Sequence, residues 1–171
     1  MSESVMNGFA ITREIAIDAA HRVPDHASKC KSLHGHRYII EACCVGGLAD
    51  EGEQRGMVLD FGFLKEEMIE IIHDPCDHGT ILCHDDEFLD AFVINRADMR
   101  VNFNARRWWA GQGTFGKMLV LDAVPTAENL AKHWFTRLTP RVSRRSEGRA
   151  LLLNLTVWET PNCRATYPAN A

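Results

Sequence analysis

Two runs rich in β-branched and aromatic residues, FAITREIAI over 9–17 and RYIIEACCV over 37–45, stand on either side of a connection of about twenty residues. Four of the eight histidines, His21, His26, His34 and His36, lie on that connection and its strand edges. Any fold that pairs the two runs therefore gathers imidazoles at one end of a sheet. His34-Gly35-His36 enters the second run. In extended chain a spacing of two sets both rings on one face, with Cα atoms ~6.7 Å apart. One ion can bridge that gap, and the glycine leaves the approach open. His21, at the far end of the first run, supplies a third nitrogen if the runs pair. Three histidines leave one tetrahedral position vacant, the pattern of catalytic rather than structural zinc. His26 reads as a loop residue. Cys30, four residues before His34, admits two readings. As a ligand it would help close the sphere; as a free thiol near an ion its pKa would fall and make it a nucleophile or base.

The rest of the chain alternates in character. From Asp60, an expected N-cap, Phe61, Leu64, Met68, Ile71 and Ile72 recur at helical spacing until His73-Asp74-Pro75. A second helix is predicted from Thr126, whose hydroxyl caps a run carrying Leu130, Trp134, Phe135 and Leu138 and ending at Thr139-Pro140. A strand over 150–159 and a short one near 164–167 close the order. Between His78 and Thr126 the text is irregular, with a hairpin expected around Gly111 to Gly116.

Composition narrows the function. With 46% hydrophobic and 25% charged residues in 171, the chain is globular rather than disordered or fibrous. A net charge of -4 gives no global attraction to nucleic acid. The start of the chain lacks a basic export signal and no run approaches ~18 apolar residues, so a cytoplasmic chain with no membrane partner and reduced cysteines is expected. Residues 50–90 hold thirteen acids against two bases, and 96–117 five bases against one acid, which reads as solvated surface.

Six blocks in order, IDAAHRVP, CKSLHGHRY, MVLDFGFLK, CDH, PTAENLA and VWET, resemble the 6-pyruvoyl/6-carboxytetrahydropterin synthase family. The resemblance implies a single domain over 1–171 with an insertion within about 79–125. The implied fold is the α+β tunnelling fold (T-fold): an antiparallel four-stranded sheet with two helices on one face, sheets joining between subunits into a barrel. It implies a homohexamer, a dimer of trimers, with sites at subunit boundaries. It further implies Zn²⁺ on His21, His34 and His36, Cys30 as catalytic thiol, and Asp77 with His78 completing a relay. Glu159 would grip the pterin ring, with Thr126 and Glu128 nearby. The expected substrate is 7,8-dihydroneopterin triphosphate. The interval between Cys30 and His34 resembles the bacterial carboxy type, which forms 6-carboxy-5,6,7,8-tetrahydropterin, acetaldehyde and triphosphate on a route to 7-deazapurines such as queuosine. The alternatives are the pyruvoyl-type synthase and a non-catalytic pterin-binding zinc protein. The chain departs from the family pattern at Ile17, Cys76 and Leu82 and in the length of its 79–125 segment, where Arg106-Arg107 and Trp108-Trp109 could lid the site, bind triphosphate or serve packing.

Overall fold

The computed structural model describes residues 8–94 and 96–169. The first seven residues, on which the expected lack of an export signal partly rests, lie outside that range. The frame is one mixed sheet of seven strands: β1 (Phe9–His21), β2 (His34–Gly46), β3 (Gly79–Cys83), β4 (Trp108–Gly113), β5 (Gly116–Leu121), β6 (Ala150–Thr160) and β7 (Cys163–Tyr167). Their spatial order is β4-β5-β3-β1-β2-β6-β7. The expected four-stranded antiparallel sheet is the β1-β2-β6-β7 part.

Two long helical segments cover one face. The first is α1 (Phe61–Met68), which continues through a wider π turn (Ile69–His73) and a last turn (Asp74–Cys76). Asp60 caps it by accepting hydrogen bonds from the backbone N–H groups of Gly62 and Phe63. Two short helices, α2 (Leu89–Phe92) and α3 (Arg96–Arg106), follow β3. The second long one is α4 (Ala127–Arg145), capped by Thr126. Ile15, Ile17 and Ala19 on β1 and Tyr38, Ile40, Ala42 and Cys44 on β2 alternate into the core beneath α1 and α4, as period-two strands require. Among the described residues no helix is long and apolar enough to cross a membrane.

The structure corrects two helix ends. The predicted stop at Thr139-Pro140 does not occur; α4 runs through Pro140 to Arg145. Burial of Leu138 and Val142 and the ion pairs of Arg141 and Arg145 outweigh the roughly 3 kcal/mol cost of an internal proline. Likewise α1 passes Pro75 and ends at Cys76. Proline cannot donate to the Ile71 carbonyl four residues back, and Arg137 of α4 donates to it instead, at 3.1 Å.

The insertion is the larger departure from expectation. Residues 79–125 form not only the predicted hairpin, β4 and β5, but also β3, which pairs parallel with β1 and β5. Strands buried on both faces read as continuous apolar runs, so ILC and MLVL lack the alternation that signals a half-exposed strand. Ile81, Leu119 and Leu121 join the main core, while Leu82, Met118 and Val120 face a second one under Leu89, Val93, Met99 and Phe103. Trp109 packs into the second core and Trp108 against the first, so both tryptophans serve packing. The unusual Ile17, Cys76 and Leu82 are all buried core residues.

Glu67 joins the helices. It is 3% exposed and accepts from Arg141 at 2.6 Å and from Arg145 at 2.7 Å. Burial pushes its carboxyl up, but the hydrogen bonds from the two guanidinium groups prevail and hold it below the ordinary carboxylate range. The folded chain then binds fewer protons here than the unfolded one. The contribution is complete above the unfolded carboxylate pKa and is lost as pH falls through the folded value. Glu67→Gln is expected to cost about 2 kcal/mol at neutral pH and less in acid, as measured by urea unfolding at both.

Candidate metal and pterin site

The antiparallel register sets His21 directly opposite His34. His36, two residues on, shares the face, so the three rings meet at the sheet end with centroids 4.6, 5.2 and 5.0 Å apart. A Cβ on Gly35 would stand 3.2 Å from the Ala19 carbonyl oxygen, so glycine permits this close strand approach. His21 Nδ1 donates to the Pro125 carbonyl at 2.7 Å and His34 Nδ1 to the Ser32 carbonyl at 2.8 Å, with each ring's Nε2 left as the free donor atom. His21 Nε2 is buried without a hydrogen-bond partner, 3.5 Å from Glu159 Oε1. Tyr38, fully buried, packs edge-on against His21 and His36.

Three imidazole nitrogens lying within 4.8 Å of one another, one of them buried and orphaned, fit a small divalent cation. Burial pushes His21 and His36 below the ordinary imidazole pKa, which favours the neutral form that ligation needs. Cys30 does not belong to this converging set. It sits on a single 3-10 turn (Lys29–Lys31), with its carbonyl accepting from Val23 N–H at 2.8 Å. His26 is a local loop residue whose ring accepts from Ser28 N–H.

Asp77 and His78 lie on the connection into β3. His78 Nδ1 donates to Asp77 Oδ2 at 2.7 Å, and Asp77 Oδ1 accepts from the Asp18 N–H at 3.0 Å. Burial raises the Asp77 carboxyl, but the hydrogen bonds from Asp18 and His78 leave it below its usual value. His78 has φ 56, and its N–H donation to the Asp18 carbonyl holds that left-handed backbone in place. A Cβ on the next residue, Gly79, would meet Lys117 and Cys76 carbonyl oxygens at 2.9 and 3.0 Å.

Glu159 stands at an irregularity in the β6–β7 register between Trp158 and Thr160, a bulge that re-aims a side chain. With His36 and Trp158 it borders an open cleft of about 640 Å³. Thr126 is next to Pro125 and its hydroxyl is engaged as a helix cap at 3.4 Å from Asn129 N. Glu128 is exposed in the first turn of α4.

Sequence reading missed three supports. Tyr38 was accessible through its alternation with His34 and His36. The Pro125 carbonyl and the buried Arg22, paired with Asp86 at 3.1 Å and set over Phe88, carry no local signal, because their partners lie far along the chain.

The profile of the 6-pyruvoyl tetrahydropterin synthase family matches residues 10–170. A Rickettsia felis protein named 6-carboxy-5,6,7,8-tetrahydropterin synthase is 32% identical over 153 residues, covering 89% of this chain and 94% of its own. The structure of Caenorhabditis elegans 6-pyruvoyl tetrahydropterin synthase superposes with TM-score 0.60 at 25% identity over 94% of both chains. An uncharacterized protein from Wolinella succinogenes has the same fold at TM-score 0.66 and 20% identity, over 93% of this chain and 97% of its own. The chain belongs to the 6-pyruvoyl tetrahydropterin synthase family, with the T-fold of that family. It is an enzyme of the tetrahydropterin synthase type, a pterin lyase.

The lowered pKa values of His21 and His36 make the metal-free fold acid-sensitive. The folded chain binds fewer protons than the unfolded one, so this stability is complete above about pH 6.5 and drains as pH falls toward the folded values. Thermal melts of metal-free protein are expected to show this loss, and His36→Asn to flatten it.

Proposed function

We propose that the chain is a cytoplasmic, zinc-dependent lyase that converts 7,8-dihydroneopterin triphosphate to 6-carboxy-5,6,7,8-tetrahydropterin, acetaldehyde and triphosphate, on a route to 7-deazapurines such as queuosine. The carrying observation is the orphaned His21 Nε2 among three converging imidazoles beside Glu159, with the Cys30 thiol outside the donor set. The names of the curated relatives favour the carboxy product. Zn²⁺ would be held by His21, His34 and His36 and, when bound, would supply Lewis-acid polarisation of the substrate's side-chain oxygens.

The protein groups take the remaining roles. Glu159 offers two oxygens to the parallel donors of a pterin, its 2-amino group and N3–H. Thr126 and Glu128, at the start of α4, would border the ring, Thr126 beyond its cap. Cys30, as thiolate, removes a side-chain proton. With Nδ1 committed to Asp77, His78 keeps Nε2 to give or take protons at the other centres. Asp77 orients that ring through its anchor on the Asp18 backbone. In the proposed homohexamer, a dimer of trimers, the dyad of one subunit serves the neighbouring subunit's thiol.

A second reading, the pyruvoyl-type product, is favoured by the name of the Caenorhabditis elegans neighbour. Incubation with 7,8-dihydroneopterin triphosphate, read by mass spectrometry with and without a chelator, separates the two. Acetaldehyde and a carboxypterin that disappear with the chelator are expected; a retained three-carbon side chain rejects the carboxy reading. Cys30→Ala is expected to lower kcat by at least about a hundredfold while pterin still binds. A protein that only binds pterin would show no turnover in either form.

A further inference from the structure

Besides the three histidines, the described residues hold one other group of metal-binding side chains whose ligand atoms lie within 4.8 Å of one another: Cys83, His84 and Asp85. The group sits where β3 ends, inside the insertion and apart from the residues assigned above. Cys83 is 2% exposed, and its thiol lies within 4.8 Å of an Asp85 carboxylate oxygen. His84 Nδ1 lies 3.7 Å from Cys83 Sγ. In a tetrahedral site with metal–sulfur and metal–nitrogen bonds of about 2.3 and 2.05 Å, the S···N edge is about 3.6 Å. The pair therefore already has the separation that a shared ion imposes.

The surroundings hold this geometry. The His84 N–H donates to the Leu121 carbonyl at 2.8 Å, and its ring stacks on Phe103 at 5.0 Å and 20°. Asp122 Oδ1 stands 4.0 Å from His84 Nδ1, and Arg107 grips both oxygens of that carboxylate. His84 and Asp85 line a cavity of about 640 Å³ together with Asp86 and Glu87. Asp86 is itself buried, and its Oδ2 has no hydrogen-bond partner.

We infer that Cys83, His84 and Asp85 form a second cation site, selective for a borderline divalent transition metal such as Zn²⁺ or Co²⁺. A thiol and an imidazole together exclude the hard cations Mg²⁺ and Ca²⁺, which take oxygen ligands. Binding breaks the Cys83 S–H bond, releases the proton to solvent and forms a metal–sulfur bond, with no change of oxidation state. Ligation needs the thiolate, so uptake strengthens as pH rises. An ion here would tie the end of β3 to the turn that carries Asp86, the partner of Arg22 beside His21.

Co²⁺ titration of the full chain tests this independently of the proposed reaction, since three imidazoles give no thiolate-to-cobalt charge transfer. A second equivalent of Co²⁺ with a near-ultraviolet charge-transfer band is expected. The band should persist in His34→Ala and Cys30→Ala, vanish in Cys83→Ser, and need at least about tenfold more Co²⁺ in His84→Ala, whose exposed site leaves folding unaffected. Absence of the band, its loss in Cys30→Ala, or its indifference to His84→Ala overturns the inference.

Discussion

The antiparallel register of β1 on β2 is the constraint from which the site follows. Side chains alternate with a period of two, so a slip of one residue would turn His21 to the opposite face and expose Ile15 and Ile17. The same apolar alternation that buries Tyr38, Ile40 and Ala42 thus aims His34 and His36 at His21. Core formation and site formation are one event, and the imidazoles need no dedicated loop to bring them together.

The insertion extends this frame without disturbing it. By adding β3, β5 and β4 beyond β1, it covers the end of the β1 edge, from Ala19 to His21, and builds a second core on the opposite face. Two arginines tie the parts together: Arg22 links the end of β1 to Asp86, and Arg137 serves the Ile71 carbonyl while stacking on Trp108 at 3.9 Å. The Asp77–His78 dyad occupies the seam where β3 joins β1, which is why its anchor is the Asp18 backbone rather than another side chain.

Much of this was legible in residue order. The strand pair, the cap at Thr126, the hairpin near Gly111 and the convergence of three histidines all follow from periodicity and local chemistry. The persistence of α4 past Pro140 was not, because the pairing of Arg141 with Glu67 spans 74 residues. Nor was β3, whose burial on both faces removes its alternation. Local rules also say nothing of the Pro125 carbonyl that fixes the His21 tautomer, or of the bulge that brings Glu159 to the imidazoles. What escaped was long-range, and it supports the site from outside.

The central claim is that a cation at the sheet end is held by three imidazoles while Cys30 stays unligated. X-ray absorption at the zinc edge, on the Cys83→Ser chain loaded with one equivalent of zinc, tests it most directly. The account predicts three imidazole nitrogens and otherwise only light scatterers around zinc. A sulfur neighbour at about 2.3 Å would contradict it.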